Sequence, residues 1–383
     1  LRRAGWVWIR DGLPASAARV YTEERELHRA AGRRPEEAVA MMGLVQTLRM
    51  SGRVEEAWTM FAEARGVLEA LGDPAQRLSV LQEEGQLCSE TGRNREAERC
   101  FRAARALAVE IGDVAATALA VSNLAIASME LGRYPESEQA YHEAIALNRQ
   151  LGNRRNEGVA LGNLGNLCKA MGRTEEAERL FIEAETIHRE TGSRRHFGVV
   201  RGARASLWRA TGRIEESERL FAEAIAIHRE LGHRRFEAIA LGQRANMLRL
   251  HGRHREAEED YRASIAISRE VAELGSLGAE TGNLAGLLVS TGRIEEGLAL
   301  FREAIALHVR SGNRLFLGSH QCEHGLALLR AGRHEEARAE WGAGIAVLRT
   351  IAAGSLLDEV LSEMREGCRA AGVEPFERDP AQA

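Results

Sequence analysis

Apolar residues recur along this chain at intervals of three and four positions, in segments roughly four helical turns long. The segment 175–190 has apolar residues at Ala177, Leu180, Phe181, Ala184 and Ile187. The preceding segment, 155–171, has the same period, with apolar residues at Val159, Leu161, Leu164, Leu167 and Cys168. Gly172 and Gly192 follow these segments, where a left-handed glycine ends a helix. The pattern therefore predicts two amphipathic helices that form a hairpin.

The hairpin recurs with a constant period. A Gly-Arg pair occurs eight times at steps of 40 residues, and an aromatic residue stands nine positions after each of these glycines. The glycines are Gly52, Gly92, Gly132, Gly172, Gly212, Gly252, Gly292 and Gly332, and the aromatics are Phe61, Phe101, Tyr141, Phe181, Phe221, Tyr261, Phe301 and Trp341. A period of this length indicates an array of stacked supersecondary units.

The need to bury apolar surface decides how the copies assemble. A pair of amphipathic helices leaves apolar stripes uncovered on both sides, so each hairpin has to cover the next. The small residues Gly165, Ala177 and Ala184 predict a close approach of the two helices, and Phe181 is expected to fill the space between neighbours. The predicted fold is all-α, an α-solenoid of stacked antiparallel helical hairpins.

The glycine phase also predicts the domain organisation. We expect the solenoid to cover residues 1–352, with a truncated first hairpin and eight full repeats of 40 residues. A C-terminal capping helix is predicted over 353–371, because this segment has a more polar face, and a flexible tail containing two prolines is predicted over 372–383. The chain begins with Leu partway through a repeat, and we expect it to be a fragment of a larger polypeptide.

Composition and charge narrow the possible classes of protein. A content of 44% hydrophobic, 28% charged and 5% aromatic residues is typical of a soluble helical protein with an aliphatic core. A formal charge of -4 gives no support for a nucleic-acid binder, which needs a strongly basic face. Five scattered cysteines without a CxxC pair argue against a disulfide framework and a zinc site. With no apolar run long enough to span a bilayer, the predicted location is cytoplasmic.

The repeated residues resemble a known family. Leu164 and Gly165, followed by Ala177, Phe181 and Ala184, have the spacing of the tetratricopeptide repeat motif. The period of 40 residues, instead of the usual ~34, is similar to that of Pins-like and kinesin-light-chain repeats and of tetratricopeptide regions in large bacterial signalling proteins. The tryptophan and the terminal proline of the family motif are absent. The resemblance implies a right-handed superhelix.

The resemblance also implies where a partner binds, since the first helix of each hairpin lines the inner, concave wall in this family. The inward positions of the fourth full repeat are those on the face opposite Leu161, Leu164 and Leu167. Asn and Gln recur at these positions, and an amide can both donate to and accept from a passing main chain. The predicted groove residues are Asn123, Asn163, Asn166, Lys169, Arg204, Arg209, Gln243, Arg244, Asn246, Arg249 and Asn283.

The arginines in this set have two interpretations. Arg201, Arg204 and Arg244 stand where other repeats have apolar residues, and a buried unpaired guanidinium is very costly. One interpretation is that each pairs with a carboxylate of a neighbouring helix. The other is that they reach the groove and, with Arg209 and Arg249, form a basic centre for acidic ligand groups.

The predicted function is a protein-binding or peptide-binding scaffold or sensor module of a larger signalling or regulatory protein. Acidic side chains or a C-terminal carboxylate of the partner would suit the basic groups. An alternative is self-association into dimers or filaments through the solenoid ends, where Trp6, Trp8 and Tyr21 lie. An RNA-binding solenoid is disfavoured because no recurring pair of base-reading side chains is present.

Catalysis and cofactor binding are not predicted. No constellation of acid, base and nucleophile recurs, and the chain has no GxxxxGK, HExxH or GxSxG motif. His233, His251 and His254 have no carboxylate or cysteine at helical spacing to complete a metal site. We therefore expect a protein that is not an enzyme and that needs no cofactor or metal ion.

Overall fold

The computed structural model describes residues 14–51, 53–271, 273–351 and 354–377. This part of the chain contains 18 α-helices and no strand. It divides into two compact units at Phe236 and Glu237, which are called unit 1 and unit 2 and are described separately.

The helices follow one another with short turns between them. In chain order they are α1 (Pro14–Ala30), α2 (Arg34–Met50), α3 (Val54–Ala70), α4 (Pro74–Glu90), α5 (Asn94–Glu110), α6 (Val114–Glu130), α7 (Tyr134–Gln150), α8 (Arg154–Ala170), α9 (Thr174–Glu190), α10 (Arg194–Ala210), α11 (Ile214–Glu230), α12 (Arg234–Leu250), α13 (His254–Glu270), α14 (Leu274–Ser290), α15 (Ile294–Ser311), α16 (Arg314–Arg330), α17 (His334–Thr350) and α18 (Gly354–Ala371). The even-numbered helices from α2 to α16 are the first helices of the repeats and are called A helices. The odd-numbered helices from α1 to α17 are the second helices and are called B helices.

A turn that recurs in the described part of the chain sets the length of the repeats. After α9, Gly192 adopts a left-handed φ of 65°, and the N–H of Ser193 donates to the carbonyl of His188 at 2.8 Å. This is the bond pattern of a Schellman cap, which ends a helix and reverses the chain at once. Before α6 and α8, the side chains of Asp113 and Asn153 accept from backbone N–H groups in the first turn of the helix. Helices of 17 residues joined by three-residue turns produce the 40-residue period.

The two helices of the hairpin α8–α9 meet closely at a glycine. Phe181 of α9 is fully buried, and a Cβ atom added to Gly165 of α8 would lie 2.7 Å from its ring. Real Cβ atoms essentially never come so near to another atom, so this approach requires glycine. Ala177 and Ala184, one turn before and after the phenylalanine, are also fully buried. The small-aromatic-small pattern of the sequence therefore sets the distance between the helices.

The core continues from repeat to repeat within each unit. In unit 1 one apolar cluster joins Val121 of α6, Leu161 of α8 and Val200 of α10 to the hairpin of Phe181. In unit 2 another cluster joins Phe301, Trp341 and three buried residues of α18, which are Val360, Met364 and Cys368. The all-α class and the stacked helical hairpins predicted from the sequence are confirmed.

Some residues of the two terminal predictions lie within the described chain. Trp6 and Trp8 lie outside the described residues, and Tyr21, the third residue predicted for self-association, is buried. At the other end, Val373 and Phe376 of the predicted tail pack against the apolar cluster of unit 2. The ring of Phe376 lies 6.0 Å from the ring of Trp341, and its N–H contacts the sulfur of Met364 at 3.2 Å.

Three B helices end with a buried histidine whose ring stacks on the next A helix. His188, His228 and His308 are at most 2% exposed. Their ring partners are His196 at 5.3 Å, Phe236 at 5.4 Å and Phe316 at 5.7 Å between centroids. Burial lowers the pKa of His188 and of His308 to about 4. The rings of His188 and His308 are therefore neutral packing groups at neutral pH.

We expect acid to weaken the fold through these rings. The unfolded chain binds a proton at His188 near pH 6.5, whereas the folded chain binds it only near pH 4. The contribution of the neutral His188 ring to the free energy of unfolding is therefore complete above pH 6.5. It is lost as the pH falls toward 4. Leucine occupies the equivalent positions 68 and 348. His188→Leu should therefore reduce the acid-induced decrease in the free energy of unfolding by up to about 3 kcal/mol.

Urea unfolding followed by circular dichroism, at about pH 7 and about pH 4.5, measures this difference. His254→Leu is the control, because His254 is exposed. The same pH dependence in wild type and in the His188 variant would contradict the assignment.

Candidate functional site

All eleven predicted groove residues lie on A helices, namely α6, α8, α10, α12 and α14. Ten of them are half-buried, and Asn123 is buried. The A helices therefore present polar groups that are only partly covered. The individual side chains differ in whether they already form a hydrogen bond or an ion pair with other residues of the chain.

Four predicted residues of unit 1 remain available for an external group. The side chains of Asn163, Asn166 and Lys169 of α8 and of Arg209 of α10 make no hydrogen bond or ion pair with any part of the chain that the structure describes. Lys169 and Arg209 occupy equivalent positions of consecutive A helices. Burial, and then the charge of Arg209, lower the pKa of Lys169. These four residues are called the unit 1 stripe, and their two like charges favour an anion beside them.

Arg204, by contrast, is held by a cluster on neighbouring helices. Its guanidinium lies 3.2 Å from Glu185 and 3.6 Å from Glu178, and it stacks 4.4 Å from the ring centre of Trp208. Arg213 covers Trp208 at 3.9 Å, and the indole N–H donates to Glu178 at 2.9 Å. This cluster joins α10 to α9 and satisfies the charge of Arg204. It supports the first of the two interpretations of the arginines.

Arg201 and Arg244 are also paired with carboxylates. Arg201 contacts Glu223 and lies 3.6 Å from Glu185. In unit 2, Arg244 of α12 donates two hydrogen bonds to Asp260 of α13, at 2.6 and 2.7 Å. This bidentate geometry gives the strongest form of charge-assisted hydrogen bond. A role of Arg204 or Arg244 in binding a ligand stays a prediction.

The predicted amides of unit 2 have partners of their own. Asn246 accepts a hydrogen bond from the hydroxyl of Tyr261 at 2.8 Å, and Asn283 donates to Glu280 at 3.4 Å. Burial raises the pKa of Glu280 to about 7. Arg249 lies beside these groups on a cavity wall, while Gln243 stays half-buried on α12.

Sequence reasoning did not identify the acidic residues that stand at the same repeat position as the amides in later helices. The position of Asn163 and Asn283 is occupied by Glu323 in α16 and by Glu363 in α18. Both glutamates line a cavity of about 970 Å³ in unit 2. Continuing the 40-residue count through the last repeat would have found them.

Metal binding and membrane insertion find no support within the described ranges. There, no three side chains of His, Cys, Asp or Glu come together in a way that could hold a metal ion. None of the helices described has both the length and the apolar character that a membrane span requires.

Sequence comparison supports the repeat assignment. Models of the tetratricopeptide repeat match residues 113–190, 200–270, 281–311 and 319–343, which is more than half of the chain. No curated protein matches the chain in sequence.

Solved structures of low sequence identity have a similar fold. A Rap protein complexed with Competence and Sporulation Factor has a TM-score of 0.62 at 12% identity, covering 88% of this chain and 93% of that chain. The quorum sensor NprR from B. thuringiensis in its apo form has a TM-score of 0.56 at 14% identity, covering 91% and 98%. A STAND protein with a tetratricopeptide repeat sensor, PH0952 from Pyrococcus horikoshii, has a TM-score of 0.55 at 11% identity, covering 82% and 50%. At these identities the likeness shows the fold alone.

The pair of Arg244 and Asp260 should contribute to stability. We expect Asp260→Ala to lower the free energy of unfolding by about 2 kcal/mol, because a half-buried guanidinium loses its bidentate partner. Glu259→Ala is the matched control, since this exposed neighbour pairs only with the exposed Arg255 and should change stability by less than about 0.5 kcal/mol. Urea denaturation of both variants measures the difference. A similar loss of stability in the two variants would show that the Arg244–Asp260 pair contributes no more than an exposed ion pair.

Proposed function

Because the chain belongs to the tetratricopeptide repeat family, we propose that it is a scaffold or sensor module of a signalling or regulatory protein. Its partner is a peptide or protein segment with acidic side chains or a free C-terminal carboxylate. The unit 1 stripe holds this segment, on the face that forms the concave wall in the family.

The proposal rests on the side chains of the unit 1 stripe that have no partner within the described chain. Lys169 and Arg209 are cations of consecutive repeats without a carboxylate partner in the described chain, whereas Arg201 and Arg204 between them are paired. A pair of like charges in a partly desolvated place is relieved when an anion binds between them. Asn163 and Asn166, on the same helix as Lys169, have free amide groups that suit a peptide main chain.

The structural relatives are consistent with a sensor module. One was crystallised with Competence and Sporulation Factor, another is described as a quorum sensor, and the third carries its repeats as a sensor. These descriptions belong to those proteins. Here they support a binding role that needs no catalytic group.

Binding of fluorescein-labelled peptides to the full chain, followed by fluorescence anisotropy, tests the proposal. Three peptides of equal length separate the two sources of negative charge: one with internal glutamates and an amidated end, one neutral with a free carboxylate, and one neutral and amidated. We expect one of the two anionic peptides to bind at least about 10-fold more tightly than the neutral one. Lys169→Gln combined with Arg209→Gln should remove this preference, because both cations are lost.

A matched control variant makes the same change of charge at positions outside the unit 1 stripe. Arg179→Gln with Arg219→Gln alters two exposed arginines that are also 40 residues apart, on α9 and α11. This variant should bind as the wild type does. Equal affinity for the three peptides, or an equal loss in both double variants, would refute the assignment of the stripe.

A further inference from the structure

Unit 2 contains a cavity of about 970 Å³ whose walls come mainly from the alternate helices α14, α16 and α18. Asn283 and Gly286 of α14, Leu326 of α16 and Gly367 of α18 are among its lining residues. A volume of this size lies near the upper end of ligand pockets in proteins. The cavity is distinct from the unit 1 stripe, since all its lining residues belong to unit 2.

The repeat register explains why this cavity is acidic. The phase that holds Asn163 and Asn283 continues with Glu323 and Glu363. Forty residues after Leu326, the cap helix α18 likewise has Glu366, in the phase that holds Asn166 and Asn246 earlier in the chain. Positions that hold amides in the earlier repeats therefore hold carboxylates in the last repeat and in the cap helix. These carboxylates face the cavity.

Four carboxylates and two guanidiniums line the cavity, so its formal charge is negative. The groups are Glu323, Glu359, Glu363, Glu366, Arg249 and Arg330. None of the six belongs to an ion pair of 4.0 Å or less in the part of the chain that the structure describes. Neither arginine therefore neutralises a carboxylate by direct contact.

The deepest of these carboxylates is that of Glu323. Its burial, together with the charge of Glu363, raises its pKa to about 7, although Arg249 acts in the opposite direction. The pKa of Glu363 is also raised, first by burial and then by Glu359. Glu323 is half-buried and Glu363 is exposed. Carboxylates that repel one another gain free energy when a cation comes between them.

The remaining wall is apolar. Val289, Phe301, Leu326 and Leu329 line the cavity beside the charged groups. An apolar wall that leads to carboxylates fits a side chain with an aliphatic stem and a cationic end. A bare metal ion would leave this apolar surface unused.

We propose that this cavity binds an arginine or lysine side chain of a peptide partner, with the cationic group at Glu323 and Glu363 and the aliphatic stem on the apolar wall. Of the two side chains, arginine fits the several carboxylates better, because a guanidinium can donate to more than one of them. The proposal goes beyond the anionic ligand of the unit 1 stripe and does not depend on it.

The test uses the full chain and a fluorescein-labelled, amidated peptide with two arginines among glycines and serines. The comparison peptide has citrulline at both positions, which keeps the shape of arginine and removes its charge. At about pH 8, where Glu323 is ionised, we expect the arginine peptide to bind at least about 10-fold more tightly by anisotropy. This first measurement needs no variant and therefore does not depend on the folding of one.

Two double variants locate the binding. Glu323→Gln with Glu363→Gln should weaken binding of the arginine peptide at least about 10-fold and leave the helical circular dichroism unchanged. Glu295→Gln with Glu335→Gln is the control, because these exposed glutamates are also 40 residues apart in unit 2. The variant of Lys169 and Arg209 should bind the arginine peptide as the wild type does, which separates this site from the unit 1 stripe.

Three results would overturn the proposal. They are equal binding of the arginine and citrulline peptides, unchanged binding by the variant of Glu323 and Glu363, and calcium chloride binding to this cavity without any preference for the arginine peptide. The last result would show that the carboxylates form a metal site instead.

Discussion

In the hairpin of α8 and α9, the two helices meet at a residue without a side chain, and an aromatic ring fills the space. Phe181 rests on Gly165 so closely that a single added carbon would clash with the ring. This contact brings the A and B helices together and buries Ala177 and Ala184 beside the ring. A small residue recurs at this position in seven of the eight repeats, as Gly85, Ala125, Gly165, Ala205, Ala245, Ala285 and Gly325. The other properties of the chain follow from that repetition.

Stacking covers one face of every A helix and leaves another half-covered. The half-covered face holds polar residues whose local surroundings decide what they can do. Where a B helix offers a carboxylate, as Glu185 does for Arg204, the charge becomes part of the packing. Where none is near, as at Lys169 and Arg209, the charge remains open to a partner. One register can therefore produce a basic stripe in unit 1 and an acidic cavity in unit 2.

The fold could be predicted from the sequence because it depends on local signals. A glycine every 20 residues along most of the chain, and an aromatic nine residues after each Gly-Arg pair, are visible without coordinates. The phase of the amides was visible in the same way. The partners of Arg204 and Arg244 were not, since many glutamates lie within reach of an arginine and only the packing of two helices selects Glu185 or Asp260. The acidic continuation at Glu323 was present in the register, but the pattern of amides alone did not point to it.

A double-mutant cycle between Gly165→Ala and Phe181→Leu tests the central contact most directly. The free energy of unfolding is measured by urea denaturation for the wild type, both single variants and the double variant. If the ring sets the distance between the helices, the alanine is destabilising beside phenylalanine and much less so beside leucine, with a coupling energy of about 1–3 kcal/mol. Additive effects within about 0.5 kcal/mol would show that the helices can separate freely at this point, and would contradict the claim.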